Sequence, residues 1–477
     1  METRTIFRNI SPIDHRYSLT DRALFDALGA WLSEEAAVAS CVKAEIALVL
    51  AHLSVRGGLT AALEETLAKT AALVDPAEVY REEEKTSHNI RALVNVLKRK
   101  VPPDVAPLVH LGATSADILD TALSFRIREV TRTVALPLLT KLEGLLCDFA
   151  EREAETPQVG RTHGQHAVPI TVGFAFAEYV SRLGGSIIAI DRLADGLKGK
   201  LSGAVGAYNA TGMTVRDPED LERRYLAELG LAPADHATQV VEPEHLLRLL
   251  LEYNIAFGII ANLADDLRHL QRSEIREVKE RFREEQVGSS TMPQKRNPWN
   301  AEHIKSLWKA FMPRVTTFFM DQISEHQRDL SNSASQRFVA DYLTGFCLAA
   351  NRMVSVLEGL EIDRERCLAN LRRGSGIPGG VMAESAYILL SETGVSEAHE
   401  VIRRITRVAE TEGLDFAGAL SKEPAVLGRI QEKLRELGRI GPADEALSFF
   451  NAPENYRGRA AERAKTLAAK YRNLIKK

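Results

Sequence analysis

Hydrophobic residues recur along most of the chain at the three- and four-residue spacing of a helix that is buried on one side. The two-residue alternation typical of strands is scarce. The richest stretch, residues 244–285, contains one glycine and no proline. As a continuous helix it would be about 60 Å long at a rise of 1.5 Å per residue. Its first half is hydrophobic nearly all round, which predicts burial among several neighbouring helices.

Two more segments have the same character, residues 172–201 and residues 299–324. The second follows Asn297 and Pro298, and asparagine suits the N-cap of a helix while proline suits its first turn. Together the three segments predict an all-α protein built around a central bundle of long helices.

Shorter helical patterns on either side of the bundle predict three helical domains. They are an N-terminal domain at residues 1–111, the long-helix bundle at 112–363 and a C-terminal domain at 364–477. The glycine-rich stretch 372–380 predicts a loop near the start of the last domain.

The composition is ordinary for a soluble globular protein, since 45% of the 477 residues are hydrophobic and 26% are charged. The net charge of −4 offers no general attraction for nucleic acid or for an anionic membrane. The N-terminus has no hydrophobic region typical of a secretory signal, and no uncharged hydrophobic run is long enough to span a bilayer. We therefore expect a cytoplasmic protein.

The cysteines and histidines form no recognisable metal or redox motif. Four cysteines lie inside hydrophobic helical patterns, namely Cys41, Cys147, Cys347 and Cys367. They form no CxxC pair, which favours buried free thiols in a reducing compartment. His163 and His166 lie three residues apart but outside an HExxH context, and no P-loop or dinucleotide fingerprint is present. We expect neither a metal nor a cofactor.

The segment Gly288–Pro298, GSSTMPQKRNP, joins two predicted long helices and carries the most candidate chemistry. Its small residues leave backbone N–H groups able to turn toward a ligand, and Lys295 adds a positive charge. Asn297 and Pro298 open the next helix, whose N-terminus favours anions. By composition the segment is either an ordinary interhelical loop or a site for a carboxylate.

The same segment resembles the signature loop of the fumarase/aspartase superfamily, GSSxMPxKxNP, at every specified position. TSADI at residues 114–118 and GRTHGQH at residues 160–166 resemble the superfamily's other two blocks, and the resemblance spans at least residues 11–337. It implies a roughly 20-helix core completed in a homotetramer. It also implies that three subunits supply the blocks of each active site, and that the reaction is an elimination releasing fumarate.

The resemblance assigns roles by motif position. Ser289 would be the base that removes the Cβ proton, and His163 the acid that protonates the leaving group. A serine hydroxyl is a poor base near neutral pH, so it would need the positive charge of Lys295 and nearby N–H groups. Glu302 matches the carboxylate that orients the histidine. Positions matching succinyl-carboxylate binding are Thr114, Ser115, Lys295 and Asn297, and further substrate-binding positions are Thr162 and Ser290.

A further set of residues resembles the adenylosuccinate lyases within this superfamily. Arg16 and Tyr17 in PIDHRYS match a phosphate-binding pair, and His88 in KTSHN matches a second catalytic histidine. Gln239 in ATQVVEP matches a substrate-binding glutamine.

The block QRDLSNSASQR resembles the segment that holds the nucleotide phosphate in these lyases. Arg328, Ser333 and Arg337 are its matching positions, and two arginines with a serine suit a phosphate dianion. The resemblance therefore implies a carbon–nitrogen lyase of purine biosynthesis. It would cleave adenylosuccinate to AMP and fumarate, and SAICAR to AICAR and fumarate.

Three positions depart from the adenylosuccinate lyase pattern. Asn89 stands in place of an aspartate, Ala116 in place of a more polar residue, and Gln294 in place of a histidine, as in argininosuccinate lyases. Two alternatives stay open: another superfamily member of the argininosuccinate lyase or carboxymuconate cycloisomerase type, or a catalytically silent protein on this scaffold. The phosphate-binding set argues against the first, and the intact acid, base and lysine argue against the second.

Overall fold

The computed structural model describes residues 5–282, 290–374 and 376–475. Helices dominate these residues, and the predicted all-α class is confirmed. The N-terminal helices are α1 (Arg16–Thr20), α2 (Arg22–Leu32), α3 (Glu34–Val55), α4 (Ala61–Ala71), α5 (Pro76–Thr86) and α6 (Asn89–Lys98). Then follow α7 (Ser115–Val130), α8 (Leu136–Arg152), α9 (Val172–Asp195), α10 (Pro218–Ala227), α11 (Glu244–Leu270), α12 (Trp299–Phe311), α13 (Arg314–Met320) and α14 (Val339–Glu358). The C-terminal helices are α15 (Arg364–Arg373), α16 (Ala383–Glu392), α17 (Ala398–Glu412), α18 (Phe416–Ser421), α19 (Pro424–Glu436), α20 (Ala446–Phe450) and α21 (Ala460–Leu474).

The strands of the described residues are short and pair two by two. They are β1 (Pro157–Thr162), β2 (Gln165–Thr171), β3 (Lys198–Gly199), β4 (Ala232–Pro233), β5 (Val278–Lys279) and β6 (Glu361–Ile362). The pairs β1–β2 and β5–β6 are antiparallel, and the pair β3–β4 is parallel. Of these strands, β1 and β2 are the longest, and together they form a hairpin.

The predicted long helices are wrong in their C-terminal bounds. Helix α11 ends at Leu270, where the sequence predicted a helix that continues to residue 285. Arg276 adopts a left-handed backbone with φ of 55°, which a helix does not tolerate. The N–H of Glu277 donates to the carbonyl of Leu270 (3.0 Å), which closes the turn. Neither glycine nor proline marks this helix end.

The other two long helices are also shorter than predicted. Helix α9 ends at Asp195, just before Gly196, so the predicted continuation to residue 201 is wrong. The helix predicted over residues 299–324 is two helices, α12 and α13, separated at Pro313. Proline lacks a backbone donor and its ring clashes with the preceding turn, which explains the break.

The chain divides into two compact units, each made of three discontinuous segments. The first unit comprises Met1–Thr140, Ser186–Gly258 and Ser306–Ala350, and the second comprises Lys141–Gly185, Ile259–Lys305 and Asn351–Lys477. The division into three consecutive domains with boundaries after residues 111 and 363 stays a prediction.

Each unit has its own hydrophobic core. In the first, the ring of Phe346 on α14 packs edge-on against Tyr253 and Phe257 of α11, with centroids 4.9 Å and 5.6 Å away. In the second, helices α16 to α20 bury a cluster that includes Phe416 and Phe450, and this cluster also contains Val159 of β1. The hairpin is thereby fixed to the C-terminal helices.

The four cysteines are free and helical, as predicted. Burial raises the pKa of each thiol to about 12, so none is a reactive thiolate near neutral pH. Two helical stretches, Arg22–Val55 and Glu244–Leu270, are long and apolar enough to cross a membrane by length and composition, although neither is an uncharged run. However, 67% and 56% of their apolar windows are buried inside the protein, as in the core helices of soluble proteins.

Candidate active site

The predicted general acid, His163, lies at the tip of the β1–β2 hairpin in the second unit. His163 and Gly164 form the two-residue turn, with φ of 55° and 73°. Positive φ at both positions defines a type I′ turn, whose twist matches that of the flanking strands. Thr162 pairs with Gln165 at the last rung, and the side chains of Thr162 and His163 are exposed. The hairpin therefore presents the histidine outward.

The signature segment begins outside the described residues, and the predicted base Ser289 lies there. Residues 290–296 are exposed, whereas Asn297 and Pro298 are half-buried, and the N–H of Lys295 donates to the carbonyl of Met292 (3.0 Å) in a turn. Helix α12 then begins at Trp299. Asn297 and Pro298 precede this helix, which agrees with the sequence expectation of a helix start.

Three predicted site residues of the second unit line one cleft of 580 Å³, namely Lys295, Asn297 and Glu302. The C-terminal end of α11 and the turn after it supply the facing side, with Arg268 and Arg272. These arginines pair with neighbouring carboxylates, whereas Lys295 has no ion-pair partner among the described residues. A lysine ammonium in a cleft can bind an anionic ligand.

In the first unit, the structure brings His88 close to the TSADI block. Ser115 opens α7, and its Oγ lies 3.5 Å from Nε2 of His88. His88 is the N-cap of α6, and its Nδ1 accepts the backbone N–H of Arg91 (3.2 Å). A neutral imidazole whose Nδ1 accepts a hydrogen bond carries its proton on Nε2. The histidine therefore presents a donor beside the N-terminus of α7.

A buried ion pair supports this helix start. Asp117 is fully buried, and its carboxylate accepts the backbone N–H groups of Thr114 (2.7 Å) and Gly203 (3.3 Å). Lys200, also fully buried, forms a salt bridge with the same carboxylate. Sequence analysis missed Lys200, because a lysine in LKGKLSG has no local feature that predicts burial.

The predicted phosphate-binding residues of the first unit have different surroundings. Arg16, Ser333 and Arg337 are exposed, and Tyr17 is half-buried. Arg328 is half-buried with φ of 127°, and its Nη1 donates to the carbonyl of Asp321 (3.2 Å). Among residues 5–282, 290–374 and 376–475, no hydrogen bond joins Arg16, Arg328, Ser333 and Arg337 to one another, so their assembly around one phosphate stays a prediction.

A backbone hydrogen bond joins the segment that carries Arg328 to the segment that carries Gln239. The N–H of Gln239 donates to the carbonyl of Gln327 (3.1 Å). Two residues on, the N–H of Val241 donates to Asp120 of α7 (2.9 Å), which lines a small cavity of 70 Å³ with Arg328. Burial raises the pKa of Asp120 to about 6, against the opposing effect of the Val241 N–H. The QRDL block, the ATQVVEP segment and the start of α7 are thus connected.

The family described as "Lyase" matches residues 16–310, and the one described as "Adenylosuccinate lyase C-terminal" matches residues 324–440. The adenylosuccinate lyase of Pyrococcus abyssi is 32% identical over 95% of this chain and 96% of its own length. The chain belongs to the adenylosuccinate lyase family. The Pyrococcus horikoshii enzyme of the same name is 33% identical, with the same shares covered.

Solved structures agree on the fold. The 3-carboxy-cis,cis-muconate lactonizing enzyme of Pseudomonas putida matches with a TM-score of 0.81 at 23% identity, covering 96% of this chain and 100% of that one. A fumarate lyase of Mesorhizobium sp. BNC1 matches with a TM-score of 0.78 at 22% identity, covering 93% and 97%. At such identities the likeness concerns the fold alone.

The departures from the adenylosuccinate lyase pattern lie at the described site residues. Asn89 follows His88, and its Oδ1 accepts the backbone N–H of Ile90 (2.7 Å). Gln294 lines the same cleft as Lys295. Both positions therefore border candidate chemistry, whereas Ala116 lies within the first turn of α7.

His163 and Glu302 do not pair within one chain. Both side chains are exposed, and no hydrogen bond or ion pair joins them among the described residues. Throughout residues 5–282, 290–374 and 376–475, no group of three or more His, Cys, Asp or Glu residues is arranged to hold a metal ion. The resemblance assigns the two blocks to different subunits, so the pairing stays a prediction about the assembly.

Proposed function

We propose that this chain cleaves adenylosuccinate to AMP and fumarate, and SAICAR to AICAR and fumarate, in the cytoplasm. The observation that carries the proposal is similarity to enzymes named adenylosuccinate lyase over 95% of the chain. The cleft that gathers Lys295, Asn297 and Glu302 supports it, because a succinyl group brings two carboxylates that need cationic and amide partners.

The proposed elimination moves two protons. Ser289, as an alkoxide, takes the proton from Cβ of the succinyl group, which leaves negative charge on the adjacent carboxylate. The bond between Cα and the nitrogen then breaks, and His163 donates a proton to the departing nitrogen. Fumarate and the nucleotide leave, and proton transfer back through the site restores both groups.

Stabilisation of the charge that develops on the carboxylate is the central task of the site. Lys295 and Asn297 would supply this stabilisation from the cleft, with Thr114 and Ser115 at the N-terminus of α7 binding a carboxylate. His88 adds a donor there, because its Nε2–H lies beside Ser115. A single hydrogen-bond donor of this kind is worth roughly 100- to 1,000-fold in kcat in other enzymes.

The active unit that we propose is a homotetramer with sites shared between subunits. Large hydrophobic side chains are exposed on the long helices, among them Ile188 of α9 (44%) and Ile255 of α11 (54%). Hydrophobic side chains at mid-helix positions favour burial by further helices. Three additional copies of the chain would supply these helices and would bring the blocks of the two units into one site.

Ultraviolet absorbance tests the proposed reaction. The purified full-length protein is mixed with adenylosuccinate, with SAICAR and, as a control substrate, with argininosuccinate. We expect turnover of the first two substrates only. No fumarate from adenylosuccinate would contradict the proposal, and turnover of argininosuccinate alone would favour the relative that Gln294 resembles. Light scattering of the same sample should give the mass of four 52.7 kDa chains.

A further inference from the structure

Glu277 is a fully buried carboxylate in the turn between α11 and β5, outside the residues to which the resemblance assigns a role. Side chains from two other elements donate to it. Arg161 of β1 donates from Nη2 to Oε1 (2.5 Å) and from Nη1 to Oε2 (3.1 Å). Gln158 of β1 donates to Oε2 (2.7 Å), and Asn370 of α15 donates to Oε1 (2.9 Å).

This arrangement satisfies a charge that would otherwise be costly to bury. A buried ion pair is stable only when its geometry is good and further hydrogen bonds satisfy the remaining lone pairs. The fork of Arg161 matches both oxygens of Glu277, and two amides complete the set. The contact therefore has little freedom to shift, and it fixes β1 against the turn that holds Glu277.

The position of Glu277 fixes the strand that leads to His163. Arg161 lies two residues before His163, and both Gln158 and Arg161 belong to the strand that leads to the hairpin tip. The backbone of Glu277 is held too, because its carbonyl accepts the N–H of Asp363 (2.9 Å). The chain that leaves this turn then enters the segment that carries Ser289.

We propose that Glu277 is a positioning residue, which holds strand β1 and thereby sets the hairpin tip that carries His163. The inference rests on the proposed lyase function for its kinetic test. Without the carboxylate, Arg161 loses its partner and the hairpin tip is free to move. A displacement of the acid by about 1 Å can lower the rate roughly 100-fold.

Glu277→Gln tests the proposal in the full-length protein, because it preserves volume and removes charge. We expect kcat for adenylosuccinate to fall roughly 10- to 100-fold while KM changes less than about twofold. The limb of the kcat–pH profile that depends on His163 should move as well. Glu277→Asp keeps the charge but shortens the reach to the donors, so it should recover part of kcat.

The chain offers a matched control in the same unit. Glu153 is equally buried and is paired with Arg364 (2.7 Å and 2.9 Å) and with Thr156 (2.7 Å), away from the hairpin tip. Glu153→Gln should lower the melting temperature as Glu277→Gln does, with kcat and the pH profile unchanged. Equal loss of kcat in both variants would overturn the proposal, because the effect would then follow from stability alone.

Two further measurements keep the proposal falsifiable if Glu277→Gln does not fold or if adenylosuccinate is not the substrate. Gln158→Met removes one donor and preserves the ion pair, and we expect a roughly threefold to tenfold loss of kcat. The rate at which diethylpyrocarbonate modifies His163, measured by peptide mass spectrometry, needs no substrate. It should change in Gln158→Met and in Glu277→Gln and stay constant in Glu153→Gln, and an unchanged rate in the first two would overturn the inference.

Discussion

Glu143 is a buried carboxyl group with no hydrogen-bond partner among the described residues. Its burial predicts how the free energy of unfolding depends on pH. It lies on α8 and is 0% exposed. Gly184 of α9 approaches so closely that a Cβ there would lie 2.9 Å from Oε1 of Glu143 and 2.3 Å from the ring of Tyr471 on α21. Desolvation by burial raises the pKa of Glu143 from 4.5 to about 9.

The sign and size of the effect follow from proton linkage. Between pH 4.5 and about pH 9 the folded chain holds a proton on Glu143 that the unfolded chain has released. The free energy of unfolding therefore falls by about 1.4 kcal/mol for each pH unit in this window. At pH 7.5 the accumulated cost is about 4 kcal/mol relative to a residue that does not ionise. Cys147 on the same helix does not titrate here, because burial raises its pKa to about 12.

Glu143→Gln removes this ionisation and preserves the volume. The new amide has a desolvation cost of its own, but that cost does not change with pH. The stability of the variant relative to the unaltered chain should therefore increase by about 3 kcal/mol between pH 6 and pH 8.5. Urea unfolding followed by far-ultraviolet circular dichroism at one fixed protein concentration measures the difference.

Glu153→Gln is the control, because the pKa of Glu153 is shifted in the opposite direction from that of Glu143. Burial alone would raise the pKa of Glu153, but hydrogen bonds from Arg364, Thr156 and Arg152 outweigh it and hold the pKa below its ordinary value. This variant should lose stability at both pH values, because it breaks a buried charged contact. If the relative stability of Glu143→Gln were the same at pH 6 and pH 8.5, Glu143 would be ionised and paired in the folded protein, and the reasoning would be refuted.

Four other variants test the site and its support. Ser289→Ala and His163→Ala should each abolish fumarate release while the assembly mass stays constant, and substantial residual activity would mean that the roles are misassigned. Arg328→Ala should mainly raise KM for adenylosuccinate, since an unchanged KM would indicate that no phosphate binds there. Asp117→Asn leaves Lys200 buried without a charged partner and should lower the free energy of unfolding by about 3–5 kcal/mol. A loss below 1 kcal/mol in urea unfolding would show that the lysine finds water.

Periodicity predicted the helical class and the positions of the long helices, but not where those helices end. The break at Pro313 is a local effect of one residue, and it could have been predicted. The end of α11 at Leu270 could not, because the residues that follow it are ordinary helix formers. The turn exists because Glu277 gains four donors from β1 and α15, and these partners lie far away along the chain.

The candidate site, too, could be predicted from the sequence only in part. Local motifs were sufficient to propose His88, Ser115, Lys295 and Asn297, because each of these residues lies at a helix start or in a loop. The geometry of the hairpin tip was less accessible, since a His-Gly turn with two positive φ values is rarely read as a hairpin signal. Which residues of separate blocks face one another depends on the assembly and not on any one segment.

The two buried carboxylates Asp117 and Glu277 show why the residues that support the site are hard to identify from the sequence. Each lies behind a candidate catalytic element, and each is neutralised by a cation distant in sequence, Lys200 in one case and Arg161 in the other. A charged residue is expected to be exposed unless its partner is known, so Glu277 looks like an ordinary surface residue, and the TSADI motif does not indicate the buried partner of Asp117. Each buried pair supports the element that carries a proposed site residue, Ser115 in one case and His163 in the other. The residues that hold the site are therefore harder to read from sequence than the residues that perform the chemistry.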